Sequence, residues 1–164
     1  MRHTLVWTGA PREVRLEVAR VDVEGARLRA SGTQIGIADE PYELRYELDE
    51  PRLRVEVVGV RARELELENG RDHFDVGFSP LFNSLPVLRH GLHRGGEPRD
   101  FVMTLVSVPA LEIEESHQGY DPLSGEGLVR FRSGVFEADL EFDDAGFVVH
   151  YPGLAEQVWP PADA

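Results

Sequence analysis

The sequence predicts an all-β chain of more than ten short strands, antiparallel and rich in meanders. Three observations predict it. Apolar residues recur with a period of two along most of the chain. Turn residues (Asn-Gly, Ser-Gly, Glu-Gly and acidic runs) punctuate those stretches. No segment sustains a convincing helical period. Strict alternation points one set of side chains at a core and the other at water, as a half-buried strand requires.

In chain order, Val14, Leu16 and Val18 form a first apolar face, and Glu24-Gly25 turns the chain. Asp39-Glu40-Pro41 marks a second turn. Tyr42, Leu44, Tyr46 and Leu48 then alternate with Glu43, Arg45 and Glu47. Leu65 and Leu67 precede Asn69-Gly70, and Phe74, Val76 and Phe78 follow it. That dipeptide is the preferred pair for a two-residue hairpin, whose central positions both need positive φ. Phe101–Val108 is apolar on both faces, which predicts a strand covered on both sides, central or wrapped by a loop. Leu128–Arg132 and Val135–Phe142 meet at Ser133-Gly134. In the second of these, Phe136, Ala138, Leu140 and Phe142 alternate with Glu137, Asp139 and Glu141. Asp143–Gly146 leads on to Phe147–Tyr151. Leu154–Trp159 reads as a short helical turn, and the last few residues as a mobile tail of a single domain spanning 1–164.

A faint repeat crosses this pattern. Tyr42–Leu53 lies on Phe136–Phe147 without a gap, with apolar positions and an acidic turn coinciding. Either two related β-units join, or two amphipathic hairpins merely look alike.

Composition excludes several functions. The chain has 164 residues, 30 acidic and 17 basic, every basic one arginine, and a formal charge of −13. Its field repels a nucleic-acid backbone or an anionic membrane surface, so neither is the expected main partner. The absence of cysteine rules out disulfides, thiolate metal sites and a cysteine nucleophile. No stretch has the apolar core of a signal peptide or the ~20 apolar residues of a spanning helix, so the expectation is a cytoplasmic chain with no transmembrane segment. Composition leaves the oligomeric state open.

Candidate chemistry centres on 78–88 (FSPLFNSLPVL), which is apolar, lacks a period and carries Pro80 and Pro86. Proline removes ladder donors, so this is read as an irregular segment and not a central strand. Burying Leu81, Phe82, Leu85, Val87 and Leu88 would contribute roughly 1.5–3 kcal/mol each. The segment therefore either plugs the open end of a barrel or sandwich or forms the rim or lid of an apolar ligand cavity. Arg89, His90, His93, Arg94 and Arg99 follow as the one locally basic stretch, either a solvated glycine-rich loop or a grip on a polar headgroup, a phosphate or a sugar hydroxyl. His90 and His93 would share a metal only on a helix, which Gly91 argues against. His73 and Asp75 share a strand face, read as exposed and polar in preference to a two-point metal or acid–base pair. No metal site and no cofactor are expected. Glu137, Asp139 and Glu141 form a solvated face with cross-strand arginines such as Arg45, Arg52 and Arg54 as expected partners. Tyr120, in the polar run 117–122, is the aromatic best placed to stack on a ligand. No nucleophile elbow, phosphate loop or dinucleotide fingerprint occurs.

The run 75–89 (DVGFSPLFNSLPVLR) resembles the central motif of the bacterial putative glycolipid-binding family, a Ser/Thr-Pro step followed by Asn-(Ser/Thr)-Leu-Pro-(Ile/Val)-Arg. Val6-Trp7 and the ending 144–153 are similar to that family's ends, in the same order. The resemblance implies a curved antiparallel sheet or half-barrel, shaped like lipoprotein carriers with an apolar cavity. It matches Phe78, Ser79, Pro80, Asn83, Leu85, Pro86 and Arg89, with Trp7, Tyr120, Tyr151 and Pro152 elsewhere. At Leu88, where many members have a second arginine, and at Phe82, where a small polar residue is usual, the sequence departs from the pattern. A two-arginine clamp therefore does not carry over.

The combined expectation is a non-enzymatic binder of a glycolipid or similar amphiphile. Its ligand residues would be Trp7, Phe78, Phe82, Asn83, Leu85, Leu88, Arg89, Tyr120 and Tyr151. The alternative is an enzyme or shape-directing catalyst for a hydrophobic small molecule, with His73, Asp75 or Arg89 acting on it and a pKa-shifted group facing the cavity. A closed scaffold for protein contacts is the third.

Overall fold

The computed structural model describes residues 1–9 and 14–161; the expected tail at 162–164 lies outside the described residues. Strands β1 (Arg2–Gly9), β2 (Arg15–Glu24), β3 (Arg27–Ile37), β4 (Pro41–Asp49), β5 (Arg52–Val57) and β6 (Arg61–Glu66) form one antiparallel meander. Then come β7 (His73–Val76), helix α1 (Pro80–His90), a 3-10 turn at Leu92–Arg94 and β8 (Arg99–Val106). A second meander follows: β9 (Ile113–Pro122), β10 (Leu128–Ser133), β11 (Phe136–Phe142), β12 (Val148–Tyr151) and β13 (Ala155–Trp159). All thirteen strands belong to one sheet, β6-β5-β4-β3-β2-β1-β13-β12-β11-β10-β9-β8-β7. Every pair is antiparallel except β7·β8, which α1 connects as a crossover.

The sheet is curled. Laid flat, thirteen strands at ~4.8 Å spacing would hold their edges ~58 Å apart. The edges are β6 and β7, and the link from Glu66 to His73 can span at most ~25 Å even fully extended. The two edges do not pair, so the sheet is a half-barrel and not a closed barrel. Asn69-Gly70 consequently bridges the two edges and makes no hairpin, a correction to the local turn reading.

Three further readings change. Leu154–Trp159 contains a strand, β13, which pairs with β1 and β12 in mid-sheet. β8 is next to the edge and not central; Phe101, Met103 and Val106 are buried, while Val102 and Leu105 are only half-buried. β2 is in the opposite phase: Glu17, Ala19 and Val21 face inward, and Leu16 faces out. A one-residue slip exchanges the two faces, so Ala19 and Val21 cannot enter the core without bringing Glu17 with them.

The segment 78–88 is largely helical. Ser79 caps α1, with Pro80 at its start and Gly91 closing it at φ 65°. The helix lies inside the curl. Phe82 packs edge-on against Tyr46 of β4 at 5.2 Å. Asn83 reaches Tyr120 of β9, and Ser84 Oγ accepts from the Val148 N–H of β12 at 3.0 Å. Leu81, Phe82, Leu85 and Val87 are all buried. The stretch thus fills the interior of the half-barrel, the plug of the two readings. On the outer face, Asp139 pairs with Arg130 of β10, whereas Arg45 and Arg54 bind glutamates of the other meander.

Candidate functional site

The space beside 78–89 is an open groove at the N-terminal end of α1, of about 450 Å³. Asp75 and Val76 of β7, Phe78 and Asn83 form one side. Phe131 of β10, Phe136 of β11, Tyr151 of β12 and the turn Pro152–Leu154 form the other. Phe78 and Phe136 are 46% and 48% exposed, so the lip is aromatic and open to solvent. For Phe136 this corrects the alternation, which placed it in the core.

The polar groups of the groove are chained together. Asn83 Nδ2 donates to Tyr120 Oη at 3.1 Å. Tyr120 Oη donates to Gln118 Oε1 at 3.3 Å, and Gln118 Nε2 donates to Asp75 Oδ2 at 2.7 Å. Burial lifts the Asp75 carboxyl to about 6, against the opposing hydrogen bonds from Gln118 and the Val76 amide. Burial, then the Asp75 charge, raises the Tyr151 phenol above its ordinary value. Tyr151 Oη has no protein partner among the described residues. A half-buried carboxyl and a phenol thus face one aromatic-walled space, which suits hydroxyl recognition below an apolar lip.

Phe78 gives the groove its shape through an unusual backbone. It sits at φ 62°, rare for a bulky residue, and this bend turns the chain from β7 into α1. Its ring lies under the Arg15 guanidinium, 4.2 Å from ring centre to Cζ.

Behind that bend lies a second acidic centre. Glu17 is 1% exposed. Its carboxylate accepts from Ser79 Oγ at 2.7 Å, Tyr46 Oη at 2.8 Å and Gln34 Nε2 at 3.5 Å. Tyr42 Oη in turn donates to Gln34 Oε1 at 2.8 Å. Burial raises Glu17 to about 7, while those donors and the charge of Arg15 oppose the rise. Two glycines make room: a Cβ at Gly32 would lie 2.2 Å from Tyr46 Oη, and one at Gly36 2.6 Å from Tyr42 Oη.

The expected ligand residues divide by location. Phe78, Asn83 and Tyr151 line the groove. Tyr120 lies on β9 and not in a loop, fully buried beneath the groove between Phe101 and Phe131. Trp7 is buried and donates to Val148 O at 2.7 Å, while Phe82 and Leu85 are core and Leu88 is half-buried. Arg89 is near the far end of α1, donating to Ala26 O and pairing with Glu50. Glu17, Phe131, Phe136 and Leu154 were not singled out as site residues by the sequence. Among the described residues no group of three or more His, Asp or Glu could hold a metal ion.

Comparison with known proteins adds a fold and a family. The crystal structure of a DUF1089 family protein from Pseudomonas aeruginosa superposes with a TM-score of 0.56 at 21% identity, covering 95% of this chain and 90% of that one. At that identity the likeness is one of fold. No curated protein matches. A family model described as putative glycolipid-binding matches residues 4–157, and the chain belongs to that family.

Proposed function

We propose that the chain binds a glycolipid-like amphiphile by its headgroup in the groove at the start of α1. The observation that carries this reading is the pairing of Asp75, Asn83 and Tyr151 with an exposed aromatic lip of Phe78 and Phe136 in one space. Sugar hydroxyls would exchange hydrogen bonds with the polar groups, and the apolar ring faces would stack on the aromatic walls. Since α1 fills the half-barrel, the alkyl part runs along the lip and outward. Each methylene buried there would contribute ~0.8 kcal/mol before ordering costs.

The test is calorimetric titration with octyl glucoside below its micelle concentration, beside methyl glucoside and octanoate. The alkyl glycoside is expected to bind more tightly than either half, and F136A to weaken it. Protein that ignores all three probes, and carries no lipid mass in native spectra after gentle purification, would overturn the reading.

One observation favours a second reading. Asp75, lifted to about 6 inside the groove, can hold or release a proton near neutral pH, as an acid–base catalyst needs. Chemical change of a bound alkyl glycoside that D75N abolishes would establish an enzyme.

A further inference from the structure

At the other end of α1, two histidines from different elements converge. His73 opens β7 and is 9% exposed; His90 ends α1 and faces solvent. Their Nε2 atoms are 3.2 Å apart. Both rings pack on Phe101 of β8, with centroids at 5.2 Å for His73 and 4.9 Å for His90, which fixes their directions.

We propose that His73 and His90 form a two-imidazole site for a borderline divalent transition metal, zinc being the reference ion. Two imidazole nitrogens bound to one tetrahedral zinc at ~2.0–2.1 Å lie ~3.3 Å apart, close to the separation already present. The approach holds without metal because one Nε2–H donates to the other ring's lone pair. On binding, that proton moves through solvent to Nδ1 of its own ring, so both Nε2 lone pairs face the metal with no net proton release. Imidazole donors without thiolates select zinc, nickel or copper over magnesium or calcium. Water or a small anion completes the coordination, since no third protein ligand converges among the described residues. Of the neighbouring charges, Asp72 favours a cation, while Arg99 and Arg89, the latter paired with Glu50, oppose it.

The experiment titrates zinc chloride into the full chain by calorimetry and follows imidazole nitrogens by NMR. One equivalent is expected to bind and to shift the nitrogens of His73 and His90, leaving those of His3 and His117 in place. H90Q, at an exposed position, and H73A should each weaken binding at least tenfold; H117A should not. Copper bound to the wild type should show two nitrogens in its electron paramagnetic resonance spectrum. Equal zinc affinity in wild type and H90Q, or shifts confined to His117, would overturn the proposal even if H73A fails to fold.

Discussion

At the scale of single residues, Glu17 and Phe78 carry the strain of the site. The folded-state value of Glu17, about 7, lies above the ordinary 4.5. Its contribution to stability is therefore fully present below about pH 4.5 and is lost as pH rises through about 7. The loss is on the order of 3 kcal/mol. E17Q removes the titration, so its thermal midpoint should gain on the wild type by roughly 6–12 °C between about pH 5 and pH 8. Parallel midpoint-versus-pH curves would show that Glu17 does not titrate there. Phe78 makes a different prediction. Glycine at this position relieves ~1–2 kcal/mol of left-handed backbone strain and gives up a similar amount of half-buried ring. F78G should thus leave stability within ~1 kcal/mol of wild type while weakening alkyl glycoside binding about tenfold. Denaturant melts beside titration calorimetry separate the two effects.

At the scale of elements, β3 and α1 depend on each other through Glu17. G32A would drive a methyl group into the Tyr46 hydroxyl and displace one of the Glu17 donors. It should destabilise the fold by ~1–3 kcal/mol, the usual effect of disturbing a buried hydrogen bond, and raise Glu17 further. S79A removes another donor together with the α1 cap and should cost about 1–2 kcal/mol. Both effects should be larger at pH 8 than at pH 5, which a melting series would show; a pH-independent loss would mean that the carboxylate is uninvolved.

The element that sequence reading missed is α1, for physical reasons. Its boundaries were legible: Ser79-Pro80 is a helix start, and Arg89-His90-Gly91 a helix end. Two features masked them. Pro86 removes an internal hydrogen bond, and in most helices costs ~3 kcal/mol. The helix also lies inside the curl with little polar face, so no stripe of period 3.6 survives. The β2 phase failed differently: Leu16 and Val18 argue for one face, Ala19 and Val21 for the other, and only the partners of Glu17, brought from β3, β4 and α1, decide. Within the groove, Phe78 and Asn83 belong to the recognisable motif, but Phe131 and Phe136 join it only through the successive pairing of β7 with β8, β8 with β9, β9 with β10 and β10 with β11.

At the scale of the whole molecule, both segments of the sequence repeat fall within antiparallel meanders. β2 to β5 and β9 to β12 are each four-stranded antiparallel meanders. Three aligned pairs, Tyr46 with Leu140, Leu48 with Phe142 and Leu53 with Phe147, are inside in both, whereas Leu44 is buried and its counterpart Ala138 only half-buried. They differ at the first position, where Tyr42 is buried beside Gln34 while its counterpart Phe136 stands on the groove's lip. Two exposed apolar surfaces among the described residues bear on the proposed amphiphile. One is the groove; the other is the outer face bearing Leu16 opposite Ile35, with Ile37 beyond. The most direct measurement is an amide NMR titration of the full chain with octyl glucoside. The predicted result is saturable shifts at Asp75, Phe78, Asn83, Phe131, Phe136 and Tyr151, lost in F136A. Shifts confined to Leu16, Ile35 and Ile37, or none at all, would contradict the assignment of the groove.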